Sequence, residues 1–142
     1  MFGVMNISSS ALRAQRIRIQ VIADNVANAQ TLAAGVDRNG NVVPYRRKEV
    51  FLVPGAPEFG LPSEGVRVRK IGGDPSPFPK EYDPDHPLAA RSGPDAGYVR
   101  RPNVDPLAEM TDLLIASRVY EANLTAMETT KGMMRGALRI LA

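Results

Sequence analysis

Apolar residues recur at helical spacing near both ends of the chain and lose that rhythm in between. Towards the C-terminus, Met110, Leu113, Ser117, Tyr120, Leu124, Met127, Lys131, Met134, Leu138 and Leu141 follow one another at alternating steps of three and four. Most of these are apolar or aromatic, which is the pattern of a coiled-coil seam. Asp105 suits an N-cap, and Pro106 suits the first helical position, where its missing N–H would have no partner anyway. The pattern predicts a long helix over 106–142. Ile115, Val119, Ala122, Ala126, Met133, Ala137 and Ile140 form a second stripe, on the side of that helix away from the seam.

The N-terminal segment repeats the theme on a shorter length. Met5, Leu12, Ile19, Ile22, Val26 and Ala29 share one heptad seam, interrupted by Ser8 and Gln15, while Ile7, Ala14 and Val21 lie on an adjoining stripe. A helix from about Asn6 to about Gln30 is predicted, able to pair with part of the longer one. The expected seam within the chain therefore joins Met5, Leu12, Ile19, Ile22 and Val26 to Met110, Leu113, Tyr120, Leu124, Met127, Met134 and Leu138. A helix with apolar residues on two faces is not satisfied by one partner. Leaving Ile115, Val119, Met133 and Ile140 in water would forfeit roughly 6–12 kcal/mol, at about 1.5–3 kcal/mol for each buried side chain. That rivals the whole stability of a small domain. Ile7, Val21, Ile115, Val119, Ala122, Ala126, Met133 and Ile140 are accordingly expected at contacts between subunits. The plainer alternative is a two-helix hairpin packed on a small sheet.

All 12 prolines and most of the 12 glycines fall from Gly35 to Pro106, so helix is excluded there. The Asn39-Gly40 pair favours a tight hairpin turn, and 46–53 and 65–71 read as short strands. Val66 and Val68 would face a core, with Arg67 and Arg69 facing water. The five prolines from Asp74 to Ala90 favour an extended path without regular structure. The expected fold is mainly α with a small irregular β region. It comprises an N-terminal helix (1–31), a Pro/Gly-rich middle with short strands (32–105) and a C-terminal helix (106–142), the two long helices forming a coiled-coil-like pair.

Chemistry is sparse. The chain has no cysteine, hence no disulfide, thiolate metal site or thiol nucleophile. His86, the single histidine, stands with Asp83 and Asp85 between prolines, too few ligands for a workable metal site and with no positioned nucleophile. Arg46, Arg47, Lys48, Arg67, Arg69 and Lys70 could form a phosphate patch, but only Tyr45 and Phe51 offer nearby rings and no nucleic-acid motif accompanies them. No catalytic, cofactor or metal residues are assigned, and neither nucleic acid nor a small-molecule substrate is expected. The net charge of +3 is modest. The N-terminus has no apolar run of signal-peptide length, so export would use a route without a cleaved signal peptide. A rival reading takes Arg13, Arg16 and Arg18 as the basic face of a membrane-binding or nucleic-acid-binding helix.

Three blocks bear a family resemblance. ALRAQRIRIQVIADNVANAQT (Ala11 to Thr31) resembles the N-terminal signature of flagellar axial proteins, and SRVYEANLTAMETTKGM (Ser117 to Met133) resembles their C-terminal helix. GVRVRKI, DPSPF, YDPDHP and GYVRRPNVDPLAEMTDL are similar to a stretch of the proximal-rod members of the flagellar basal-body rod proteins. Asp24 and Gln30 stand where that family more often has asparagine, and 32–48 is the less similar stretch. The resemblance implies a structural rod subunit exported unfolded through the flagellar type III apparatus. It further implies terminal helices paired in the rod that carries torque from motor to hook across the periplasmic space. Implied partners are further copies of the chain, neighbouring proximal-rod proteins, the distal-rod protein and the rod-base adaptor. Another axial subunit of rod or hook is the nearest alternative.

Overall fold

The computed structural model describes residues 2–37, 41–59 and 61–141. Two long helices, α1 (Phe2–Ala27) and α2 (Pro106–Leu141), enclose in sequence a set of short strands: β1 (Gly35–Val36), β2 (Val42–Val43), β3 (Lys48–Ala56), β4 (Leu61–Gly73), β5 (Lys80–Tyr82) and β6 (Tyr98–Arg100). The fold is thus mainly helical, with three antiparallel strand pairs among the described residues, β1–β2, β3–β4 and β5–β6. β1 and β2 pair Gly35 with Val43 and Val36 with Val42; the Asn39-Gly40 turn expected between them lies outside the described residues.

The dominant strand pair is β3–β4, whose register shifts twice, between Phe51 and Leu52 and between Pro54 and Ala56. At the second shift Gly55 takes φ +87, a left-handed conformation that glycine adopts without steric cost and that lets the strand bulge. Val66 and Val68 are half-buried while Arg67 and Arg69 are exposed, as strand alternation predicts. The proline-rich stretch departs from expectation. Its proline-free triplet Lys80-Glu81-Tyr82 forms β5 and pairs with Tyr98–Arg100, so a strand exists where only extended chain was anticipated. Tyr82 and Tyr98 meet edge to face at 5.2 Å, and a side chain at Gly97 would collide with the Tyr82 ring.

α2 opens as its sequence dictates. The Asp105 carboxylate accepts the backbone N–H groups of Leu107 and Ala108, capping the helix ahead of Pro106. α1 runs antiparallel to α2, since Asn25 meets Glu109 and Arg18 meets Asp112. With Asn25 level with Glu109, the start of α1 reaches roughly residue 132 of α2 at about 1.5 Å per residue. The last turns of α2 extend beyond it.

The side of α2 that loses exposure is a heptad row, but not wholly the expected one. Glu109, Leu113, Ala116, Tyr120, Asn123, Met127, Thr130, Met134 and Ala137 are buried or half-buried. Leu113, Tyr120, Met127 and Met134 were expected there. Met110, Leu124 and Leu138, also expected in the seam, are instead 53%, 40% and 66% exposed. Small or polar residues one position earlier take the inner places, because short side chains allow close approach of the two helices. The Thr130 hydroxyl satisfies itself on the Ala126 carbonyl.

On α1, Met5, Leu12, Ile19 and Val26 are half-buried and Ile22 is buried, whereas Ile7 is exposed. Val21, expected between subunits, is buried, and so is Ala14 on the same stripe. The reason is that α1 has two partners within the chain: it lies against α2 on one side and against β3 and β4 on another. Ser10 marks the second contact, its hydroxyl accepting the Val66 N–H.

Candidate functional site

Where α1 ends, β3 begins and α2 begins, one polar cluster joins all three. Asn25, 1% exposed, uses its whole amide. Its Nδ2 donates to the Lys48 carbonyl at 2.9 Å and to Glu109 Oε2 at 3.0 Å, while Oδ1 accepts the Lys48 N–H at 2.9 Å and the Tyr45 hydroxyl at 3.0 Å. The side chain thus behaves as one more strand residue beside β3. Glu109 is likewise 1% exposed, and its second oxygen accepts from Arg47 Nε at 2.6 Å. Arg47 extends the cluster outward to Glu49 at 2.6 Å and Asp74 at 3.5 Å, and its backbone N–H donates to the Asn103 side chain just ahead of α2.

Buried polar groups cost stability unless satisfied, and here every polar atom of the Asn25 side chain is. Burial works to lower the Arg47 pKa, but the hydrogen bond and charge of Glu109, with those of Glu49, outweigh it and hold the guanidinium above its ordinary value. Burial, assisted by the neighbouring Asp24 carboxylate, pushes the Tyr45 phenol up to about 12. The Lys48 ammonium, 2.6 Å away, holds Asp24 below the usual carboxylate range. The cluster ties the end of α1 and the start of α2 to the start of β3.

The cations weighed as a phosphate patch are largely engaged inside the chain. Arg46 lies 4.2 Å over the Phe78 ring and donates to the Asp74 and Ser76 carbonyls; Arg47 and Lys48 belong to the cluster; Lys70 sits 4.8 Å from the Phe51 ring. Arg67 and Arg69 are exposed on β4. Asp83, Asp85 and His86 occupy a turn in which His86 Nδ1 accepts the Leu88 N–H at 3.0 Å. Among the described residues no group of three or more His, Cys, Asp or Glu side chains is placed to hold a metal ion. No described helix is long and apolar enough to cross a membrane.

The remaining feature is apolar. Ile115, Val119, Met133 and Ile140 are 49%, 38%, 60% and 87% exposed, with Ala122 and Ala126 exposed between them. Unlike the buried Val21, these side chains stay exposed among the described residues. Sequence periodicity located it; what sequence reasoning missed is the Asn25–Glu109–Arg47 cluster. Its one signal was an asparagine and a glutamate each standing beside apolar heptad positions.

Comparison with known proteins gives this architecture a family. Residues 5–32 match the family described as flagella basal body rod protein, and residues 95–140 match the C-terminal family of the flagellar basal body rod FlgEFG proteins. The flagellar basal-body rod protein FlgC of Bacillus subtilis (strain 168) is 46% identical, over 98% of this chain and 97% of the relative. FlgC of Borreliella burgdorferi is 40% identical and FlgC of Salmonella typhimurium (strain LT2) 38% identical, each over 99% of this chain and 97% of the relative. Two matched terminal segments that coincide with α1 and α2, together with near-full-length relatives of one kind, lead to one conclusion: the chain belongs to the FlgC family of flagellar basal-body rod proteins.

Proposed function

We propose that this chain works by polymerisation, its terminal helices packing against those of neighbouring rod subunits to build the shaft that carries torque from motor to hook. As a FlgC-family protein it is a structural subunit of the flagellar basal-body rod. The observation that carries the polymerisation reading is the uncovered α2 stripe of Ile115, Val119, Met133 and Ile140. Apolar surface of that extent on one helix is far better satisfied against other helices than in water. Ala122 and Ala126 on the same stripe permit a close helix–helix approach, and exposed Ile7 adds to the surface from α1. The neighbours are further copies of the chain, other proximal-rod proteins, the distal-rod protein and the rod-base adaptor, reached after unfolded export through the type III apparatus. The role is mechanical, not catalytic.

Substitution of Val119→Asp or Met133→Asp tests this. Both residues face outward, so the monomer folds and is exported, but the variants fail to enter basal bodies and the cells do not swim. Normal swimming with either variant would contradict the reading.

A further inference from the structure

We propose that the free edge of β3 takes up an extended, uncharged segment of a different polypeptide, which adds to the β3–β4 pair as a further strand.

The Asn25 amide marks where that edge lies. In an antiparallel pair, alternate residues turn both backbone groups toward the partner strand or away from it. The Lys48 N–H and C=O turn away from β4, since the Asn25 side chain holds both. Period two then turns Val50 and Leu52 the same way, and neither has a hydrogen-bond partner on that side among the described residues. Pro54, next in the row, has no N–H to offer and ends the open stretch. The N–H and C=O groups of Val50 and Leu52 are left open, in line with a side-chain amide that already occupies the neighbouring strand position. What fits an amide there fits a peptide backbone, and an open strand edge is a template for one.

Space and charge narrow the occupant. α1 does not close the edge: a cleft of about 440 Å³ lies between Val21 and Ile22 on α1 and Val50, Phe51 and Leu52 on β3. Along its walls Arg18 and Arg47 pair with Glu49, Glu109 and Asp112, and Lys48 pairs with Asp24. No unanswered charge is left there to draw a phosphate or an acidic peptide. The cleft suits apolar side chains on a backbone that brings its own N–H and C=O groups.

The chain does not supply that segment itself. Among the described residues, the longer stretches outside helices and strands either carry prolines, as 74–79, 83–97 and 101–105 do, or are hydrogen-bonded within the chain, as 28–34 and 44–47 are. The outer edge of β4 is interrupted by the register shift at Arg69 and held at Val66 by Ser10. Joining β3 to β3 of a second copy would pair identical edges and close into a dimer, which cannot extend into a rod.

Amide exchange and peptide titration of the purified, isotope-labelled chain test this. In the free chain the Val50 and Leu52 amides should exchange roughly tenfold faster than those of Glu49 and Phe51, which face β4. The neutral probe acetyl-Thr-Val-Thr-Val-Thr-amide should shift and protect Val50 and Leu52 in a saturable way, and the same peptide with every amide N-methylated should not. Leu52→Pro removes no bond to β4, as Pro54 already shows, and should weaken probe binding roughly tenfold, the scale of one backbone hydrogen bond. Equal exchange at all of these amides, no binding, or binding indifferent to N-methylation and to Leu52→Pro would overturn the open edge. In isolated basal bodies, benzoylphenylalanine in place of Phe51 identifies the occupant. A photocrosslink to a different protein, lost when Leu52→Pro is added, is expected. A crosslink to another copy of this chain, or none, would overturn the assignment while leaving the α2 stripe and its proposed packing untouched.

Discussion

Replacing Asn25 by aspartate changes one buried atom from donor to acceptor at the centre of the polar cluster. The amide currently donates to the Lys48 carbonyl and to Glu109 Oε2. Asn25→Asp loses both bonds and leaves both acceptors facing a carboxylate in a site about 1% exposed. Each unsatisfied buried group costs about 1–3 kcal/mol. Glu109 keeps Arg47, which limits the charge repulsion, so a total of about 3–5 kcal/mol is expected. That is a large part of the roughly 5–15 kcal/mol available to a domain. In urea, at about 2 kcal/mol per molar, the unfolding midpoint should fall by about 2 M.

The loss should also depend on pH. Two carboxylates about 3 Å apart take up a shared proton more readily in the folded chain than in the unfolded one, which raises their folded pKa. The folded state then binds more protons, so stability falls as pH rises and recovers as pH falls. The deficit of Asn25→Asp relative to the native chain should therefore shrink between about pH 7.5 and about pH 5, above the ordinary carboxylate range near 4. Asn25→Ala lacks the charge and should show a pH-independent deficit of about 2–4 kcal/mol. Urea unfolding followed by circular dichroism at both pH values measures this. A deficit under about 1 kcal/mol, or one equal at the two pH values, would refute the assigned hydrogen bonds.

The remaining predictions concern other parts of the same scaffold. Gln15 Oε1 is buried without a hydrogen-bond partner among the described residues, so Gln15→Leu should stabilise the chain by about 1 kcal/mol, read as a higher urea midpoint. Tyr45 should ionise only at about 12, giving a late step in the ultraviolet titration that Tyr45→Phe abolishes. Because its folded pKa is raised, Tyr45 contributes stability that is whole below about 10 and is lost as pH climbs through about 12. Asp24 and Asp74, both held low, act in the opposite sense, and their contribution fades as pH falls below the usual carboxylate range.

Much of this fold was legible because long helices write their period plainly into the chain. The Asp105-Pro106 start of α2, the alternation at Val66–Arg69 and the uncovered α2 stripe all follow from local rules that tertiary contacts did not override. The inner row of α2 was harder. Choosing the greasiest heptad favours Met110, Leu124 and Leu138, yet close helix approach favours Ala116, Thr130 and Ala137, and volume decided. Val21 was misplaced for a related reason: periodicity shows that a face is apolar but not whether strand or subunit covers it. The Asn25–Glu109 contact spans 84 residues of sequence, and nothing local announces it. A strand as short as β5, set among prolines, gives no periodicity to detect.

The outer surface of α2 is exposed in the single chain, and polymerisation through it would cover it in the rod. Hydroxyl-radical footprinting of the free chain and of isolated basal bodies measures this directly at Val119, Met133 and Ile140. Packing of α2 against neighbouring subunits predicts ready oxidation of all three in the free chain and strong protection in the assembled rod. Equal labelling in both states would contradict it.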